Sequence, residues 1–437
     1  MTTQQIKKNG MRVFTLVWFG QMVSIIGSGL TGFALDIWVY QHTKSVTQFA
    51  IASLCTLIPG LLLSPIAGTL VDGWNRRWCM IIADTCTAFS ILPIALLLFS
   101  DRLEVWHVYL ATAIASSFGT FQSPAYHASI AMLVPKDNLD RANGMIQTGD
   151  SLAMLLPPVL GGFLLTSIKL QGVIAVDFAT FFCGIFTLLL VRFPNPKPME
   201  DEDPDDRSSL LKRMAYGWRY IQDRPGLLGL MLLFAVTNFL LAIVGQLITP
   251  LILSFSSAGI LGIVYGIDGA GMLLASLLMS TRGGSTRRIP SILGFHLLGG
   301  ICLVATGLRE SFPLIAVATF LFGFGSTIIN ISSQAIWQTK VAPSVQGRVF
   351  AVEGMIYGSL QPFAYILVGP LADRIFEPAM AVNGALASSF GQILGVGAGR
   401  GIGLMFMVMG ALSILTTFIS YQYPRIRLLE AELPDQI

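Results

Sequence analysis

A single carboxylate stands deep inside an apolar run at Gly266-Ile267-Asp268-Gly269-Ala270-Gly271. It lies about ten residues into the stretch 259–280, which at about 1.5 Å per helical residue is near the middle of a hydrocarbon layer about 30 Å thick. Ionisable groups are costly at that depth and are functional candidates for that reason. The three glycines leave room around the carboxyl. Because burial disfavours its charged form, Asp268 could take up and release a proton as access to water alternates. A permanently neutral Asp hydrogen-bonded to a neighbouring helix is the competing reading. Asp36, near one end of the first apolar run, is the second proton-coupling candidate. Asp177 sits at a comparable depth, where interfacial water lowers the penalty. Asp84, Asp150, Glu353 and His296 lie closer to the opposite ends of their runs and are expected in structural pairing, for example of Asp84 or Glu353 with Arg76. His107 and His127 have no evident partner and read as packing or interface residues. No nucleophile, base and orienter are grouped, so an enzyme is not expected. No Gly-rich lysine motif offers a phosphate site, and no cofactor is expected.

The elements that must hold these residues follow from composition. Of 437 residues 54% are hydrophobic and 12% charged, and the mean hydropathy is +0.70. A soluble protein carries about twice that charge, so the chain reads as an integral membrane protein. A net charge of +3 with scattered basic residues excludes a nucleic-acid groove. Cys55, Cys79, Cys86, Cys183 and Cys302 fall in apolar stretches without metal-ligand spacing, and no metal site is expected. Lys7, Lys8 and Arg12 followed by an apolar run to about Tyr40 resemble a secretory signal in layout, but that run is too long and lacks a cleavage site, so it reads as a retained first span.

Stretches long enough to cross a bilayer occur at 13–38, 48–71, 78–99, 105–132, 143–166, 173–193, 226–252, 259–280, 289–308, 313–338, 348–370 and 401–421. With both termini placed in the cytoplasm, 21 of the 27 Lys and Arg residues face inward and six outward, which supports the even count and the direction. Between spans 6 and 7, Pro194, Pro196, Pro198 and Pro204 alternate with acidic residues in what reads as a mobile linker. Leu210, Leu211, Met214, Ala215, Trp218 and Ile221 then recur at helical spacing beside Lys212, Arg213 and Arg219, predicting an amphipathic helix on the inner leaflet. The linker divides the chain into an N-terminal bundle 1–193, a connecting segment 194–225 and a C-terminal bundle 226–437. The halves echo each other, with Val134-Pro135 and Arg141 in one matched by Val341-Ala342-Pro343 and Arg348 in the other. The predicted fold is an all-α membrane protein of twelve transmembrane helices in two pseudo-symmetric six-helix bundles, an arrangement of secondary transporters.

Between spans 2 and 3 lies Gly68-Thr69-Leu70-Val71-Asp72-Gly73-Trp74-Asn75-Arg76-Arg77. This G-x-L-x-D-x-x-x-R-R pattern resembles the signature loop of the major facilitator superfamily, with Asn75 in place of the family's second glycine. The resemblance implies a cytoplasmic gate of Gly68, Asp72, Arg76 and Arg77. There the glycine permits close packing, Asp72 meets the N-terminus of span 11 and Arg76 pairs with nearby acids, latching the halves shut. Arg282-Gly283-Gly284 with Arg287-Arg288 is a degenerate second copy, and Gly369-Pro370-Leu371-Ala372-Asp373-Arg374 reads as a helix-end feature on the outer side. Leu139-Asp140-Arg141-Ala142-Asn143-Gly144, Val176-Asp177-Phe178-Ala179-Thr180-Phe181, Gly217-Trp218-Arg219-Tyr220-Ile221 and Gly347-Arg348-Val349-Phe350 resemble the branch that contains macrolide efflux pumps and enterobactin exporters. Pro157-Pro158-Val159-Leu160-Gly161-Gly162 is similar to the superfamily's antiporter element, in which the prolines bend the helix and Gly161 and Gly162 admit a neighbour.

In that superfamily spans 1, 4, 7 and 10 line the central cavity. Here they carry Trp18, Gln21, Phe121, Gln122, Tyr126, Asn238, Gln246, Asn330 and Gln334, along with Phe33, Phe118, Phe239 and Trp337. Aromatic walls with a few amides suit a bulky amphiphilic solute, although each aromatic could instead simply pack helices. No Arg or Lys stands inside these spans to neutralise a sugar phosphate or dicarboxylate. The reading is a monomeric exporter in a bacterial cytoplasmic membrane, moving a drug- or macrolide-like molecule against protons. A dedicated exporter of a siderophore or other secondary metabolite is the alternative, and a non-transporting receptor or scaffold is a further one, disfavoured by the short loops.

Overall fold

The computed structural model describes the backbone of residues 3–135, 138–191, 215–283, 287–343 and 345–435; the side chains of 3–9, 65, 68, 69, 72, 73, 128, 130–132, 139 and 140 lie outside the description. Among the described residues every regular element is helical. Lipid offers no partner for a free N–H or C=O, and apolar runs of this length satisfy their backbone groups locally. The long helices are α1 (Thr3–Thr43), α2 (Val46–Gly73), α3 (Arg76–Phe99), α4 (Val105–Leu133) and α5 (Leu139–Leu190). A short helix α6 covers 215–222. It is followed by α7 (Pro225–Phe255), α8 (Ala258–Arg282), α9 (Arg288–Leu308), α10 (Phe312–Lys340) and α11 (Gln346–Leu371). A π-helical turn (Ala372–Phe376), α12 (Glu377–Met380) and α13 (Gly391–Leu394) lead to α14 (Arg400–Gln422), α15 (Pro424–Arg427) and α16 (Leu429–Glu432).

Spans 5 and 6 are joined without a loop. The 52 residues of α5 form two arms that meet at Lys169, whose φ of 59° and ψ of −178° break the helix at one residue. Lys44 and Asp101 make the reversals after α1 and α3 with φ of 52° each. Among the described residues, ten helices are long and apolar enough to cross a membrane by themselves. Dividing α5 at Lys169 and adding the 29-residue α4 makes twelve.

Two compact units emerge, one of residues 1–201 with 257–263 and the other of 202–256 with 264–437. In the first, α1 packs on α5, α4 lies against both α2 and α3, and α3 also touches α5. In the second, α7 packs on α11 and α14, and α9 lies against α10 and α14. Counting α5 as two spans, the partners of spans 1 and 3 correspond to those of 7 and 9. The repeat heard faintly in the sequence is therefore a repeat of helix pairing. Small residues set the closest approaches, because lipid supplies little hydrophobic drive between helices. A Cβ on Gly323 of α10 would fall 2.6 Å from Asp268 Oδ1 and 2.5 Å from its carbonyl, and one on Gly29 of α1 would fall 2.6 Å from Pro157 Cγ.

The linker 192–214, including Leu210, Leu211 and Met214, lies outside the described residues. The remainder of the predicted amphipathic helix is α6, and it does not turn its apolar face to lipid alone. Ile221 is fully buried in the core of the second unit with Leu227, Val349 and Val352, and the Tyr220 hydroxyl accepts from the Ala342 amide at 3.3 Å. Tertiary packing is available to that face, and it captures the side chain that sequence pattern assigned to the leaflet.

The tail after α14 straps this unit. Glu430 accepts from the amides of Arg288 at 3.1 Å and Ile289 at 3.0 Å, satisfying orphan donors at the start of α9. Lys340, buried at the last turn of α10, donates to the carbonyls of Glu430 and Leu433 and pairs with Asp435 at 2.9 Å. Replacing Lys340 with Met is expected to destabilise the protein by roughly 1–3 kcal/mol through the carbonyls it orphans. Asp435→Asn should stay close to the parent, and thermal unfolding in detergent compares the two. The hydrogen bond from Lys340, and then its charge, hold the Asp435 carboxyl below its ordinary value of 3.8. Its contribution is complete above that ordinary value and is lost only as pH falls through the lower folded value. Hydrogen-exchange protection over residues 424–435 should therefore be unchanged from neutral pH down to about pH 4; loosening already near pH 6 would contradict this reading.

Candidate functional site

The first unit holds a partly open cavity of about 540 Å³, walled by α1, the arms of α5, and α2, α3 and α4. Its apolar wall includes Ile25, Leu35, Ile91, Phe178 and Phe181, and its polar side is formed by Gln122, Asp84, Asp177 and a set of Ser and Thr hydroxyls. Asp84 and Asp177 are each 8% exposed. Gln122 Nε2 donates to Gln21 Oε1 at 2.7 Å and Gln21 Nε2 donates to Asp84 Oδ2 at 3.2 Å, so two amides connect the cavity face to a buried carboxylate. Asp177 Oδ1 accepts from Ser28 at 3.2 Å. Asp84, expected beside Arg76, thus has its hydrogen bond with Gln21, because α1 rather than the start of α3 faces it.

The other cavity candidates of this unit are placed differently. Gln21 is almost wholly buried behind Gln122. Trp18 Nε1 donates to the Met145 carbonyl at 2.8 Å, tying α1 to α5, and Trp18, Phe121 and Tyr126 pack in a core with Phe14, Met80 and Leu188.

The second unit holds a smaller chamber of about 100 Å³ that brings together Asn238 of α7, Asn330 and Ser326 of α10 and His296 of α9 among Phe234, Phe295 and Phe322. Asn238 Nδ2 donates to the Phe234 carbonyl at 2.8 Å, leaving its oxygen for a ligand. His296 is 4% exposed, its Nε2 has no hydrogen-bond partner, and its ring stands edge-on to Phe234 at 5.9 Å. Gln246 is buried, Gln334 is exposed, and neither lines this chamber. Trp337 belongs to the core.

Asp268 is half-buried on α8, its Oδ1 without a hydrogen-bond partner and pressed toward Gly323. Asp36 is half-buried and lines neither cavity. Of the predicted gate, Gly68 and Asp72 lie in the last turns of α2, and their side chains are outside the description. Asn75 caps α3, accepting from the Trp78 amide at 3.4 Å, so the residue that departs from the family glycine serves as a helix start. Arg76 opens α3. Arg77 donates to the carbonyls of Leu188 at 2.9 Å and Leu189 at 2.8 Å, where a cation suits the end of α5. Pro157 and Pro158 sit inside α5. Gly161 lies against Phe33, and Gly162 lies against Gly262.

Sequence reasoning passed over Asp177 and the Gln21–Asp84 bond as parts of one cavity. The available signal was that both acids lie in apolar spans; what was missing was which helix each faces. Among the described residues no three His, Cys, Asp or Glu gather as metal ligands would.

Against this geometry the comparisons with known proteins are consistent. A family model for the Major Facilitator Superfamily matches residues 17–365. Macrolide efflux protein A of Streptococcus pyogenes is 28% identical over 368 residues, covering 83% of this chain and 90% of that protein. Multidrug efflux pump Tap of Mycolicibacterium fortuitum is 25% identical over 372 residues, covering 82% and 88%. Among solved structures, a bacterial homolog of the human lysosomal transporter Spinster, inward-facing and unoccupied, superposes with a TM-score of 0.70 at 14% identity, covering 97% of this chain and 98% of that one. A bacterial homologue of the iron transporter ferroportin, inward-facing, gives 0.65 at 13%, covering 94% and 98%; these likenesses concern the fold. With the family model spanning most of its length, this multi-pass membrane protein belongs to the Major Facilitator Superfamily and is a transporter of small molecules, not an enzyme.

Proposed function

We propose that the protein exports amphiphilic small molecules in exchange for protons. The observation that carries this reading is the cavity of about 540 Å³ inside the first unit. Its volume falls within the range of small-molecule sites, and its apolar wall faces a few polar groups that can orient a solute. The likeness to macrolide and multidrug efflux proteins supports the same class of cargo. Both termini are placed in the cytoplasm by the distribution of Lys and Arg, and the transporter acts as a monomer of two six-helix halves that open alternately to either side. Asp72 and Arg76 form the cytoplasmic latch, and the bend at Pro157 and Pro158 serves the exchange.

Asp268 carries the proton, with Asp36 as the second candidate. A buried carboxylate oxygen without a partner is costly when ionised, and a proton relieves that cost. One proton returning down the membrane potential supplies about 2.3 kcal/mol per 100 mV.

In liposomes with an imposed pH gradient, Asp268→Asn is expected to lower gradient-driven transport of a fluorescent amphiphile by about tenfold or more. Its binding should remain. Gradient-driven flux that survives this substitution removes Asp268 from the coupling role, and the absence of any proton-driven flux in the parent removes antiport altogether. Orientation has a separate check. Single cysteines placed at Arg102 and Arg141, in a background without the native cysteines, should label from opposite sides of the membrane; labelling of both from one side would overturn the topology.

A further inference from the structure

The stretch 378–399, which connects the end of span 11 to α14, has 22 residues and not one Asp, Glu, Lys, Arg or His. Aqueous sequence of that length carries about five charges. By contrast, Arg309 and Glu310 stand together in the short turn after α9 of the same unit. The level of the stretch is fixed by what it touches. The 23 residues of α14 and the 21 of α9 match the roughly 20 that cross a hydrocarbon layer, so Arg400 and Leu308 stand at its edge. There Arg400 pairs with Glu310 at 2.9 Å. Glu377 accepts from the amides of Gly399 at 3.1 Å and Ile402 at 2.9 Å, which ties the two ends of the stretch together at that edge. From there the chain does not rise into water. Met380 and Leu394 are buried with Leu404 of α14, and Leu308 and Met407 pack on the same cluster. Leu404 and Met407 lie beyond Arg400 toward the middle of the span, so the stretch is folded down onto the membrane edge. Outside this small core remain Val382, Phe390, Ile393 and Val396, from 43% exposed at Val396 to 69% at Val382. The backbone suits an apolar medium as well. The amides of Gly384, Leu386, Gly391, Leu394, Gly395 and Gly397 each donate to a carbonyl within the stretch at 2.8–3.0 Å.

We infer that residues 381–399 form an interfacial element lying in the leaflet at the Arg400 end of the second unit, with Val382, Phe390, Ile393 and Val396 among the acyl chains. With both termini cytoplasmic this is the outer leaflet. Lipid is the occupant that the surroundings favour. The helix leading into the stretch already exposes Phe363, Ile366 and Ile375, and at the membrane edge acyl chains are the apolar phase within reach. Seating the four side chains there removes their apolar area from water. Because the stretch holds no cation, insertion depends on that area and not on anionic lipid. The inference uses the membrane-spanning fold alone and is independent of cargo, coupling and sidedness.

Nitroxide labels on Val382→Cys and Ile393→Cys test it, in a background without the native cysteines and in full-length protein reconstituted into phosphatidylcholine nanodiscs. Power saturation compares collisions with oxygen, which concentrates in lipid, and with a water-soluble nickel chelate. The oxygen-to-chelate ratio at both sites should exceed that of a label on Arg102→Cys by about fivefold or more. It should approach that of a label on Leu415→Cys, an exposed apolar position of α14. Adding phosphatidylglycerol should leave the ratio unchanged. A ratio like that at Arg102 means an aqueous loop and overturns the inference. Exclusion of both reagents means that protein covers the face and overturns it too, a second copy being recognised by dipolar broadening between labels. Lipid contact that appears only with phosphatidylglycerol has the same consequence. Both side chains are exposed, so each label replaces no internal contact and each position tests the inference without the other.

Discussion

A chain that crosses hydrocarbon meets no water there, so each backbone amide and carbonyl must find its partner within the protein. Helices close that requirement one turn at a time, and they leave side chains as the only source of polarity inside. Ser and Thr then have one inexpensive option, which is to donate back to a carbonyl three or four residues earlier. Thr112 to Val108, Thr306 to Cys302 at 2.9 Å and Thr417 to Ser413 at 2.7 Å all do so. The same economy that lets these residues sit in a membrane commits many of their hydrogens to their own helix. Among the described residues, no Lys, Arg or His lines the cavity of the first unit.

Helix ends are where this economy breaks down, and charged side chains are used there. Glu430 serves the amides that open α9. Glu377 accepts from Gly399 at 3.1 Å and Ile402 at 2.9 Å at the start of α14. Arg77 serves the last carbonyls of α5. Each pairing puts an anion at an N-terminus or a cation at a C-terminus, in accord with the helix dipole. Much of the small charge content of the chain is thus structural. Asp36, Asp84, Asp177, Asp268 and His296 are among the ionisable groups that serve no helix end and are left for chemistry or recognition.

Several features were legible from the residues. Apart from the start of α1, which begins ten residues before the expected span, the apolar runs located the helices to within a few residues, since length and hydropathy are local properties. Even the loop-free turn at Lys169 fell between two expected spans. The pattern around Asp72 and Arg76 points to the family, and the family model agrees. Less legible was the destination of each side chain. Trp18, Phe121 and Tyr126 have the character of ligand contacts, yet they pack in a core. Asp84 was expected beside Arg76 and bonds instead to Gln21, and Ile221 has gone from the leaflet side to a protein interior.

By itself the sequence determined that this is a helical membrane protein of twelve spans with acids buried at costly depths, because hydropathy, helix length and ionisation cost are fixed by residue type and order. Tertiary structure alone decided which of those acids share a cavity and that Asn238 and Asn330 meet around His296. The reason is geometric. An apolar helix buries or exposes any of its faces to lipid at similar cost, so the pattern along the chain carries little information about its rotation, and rotation is set only when neighbouring helices pack.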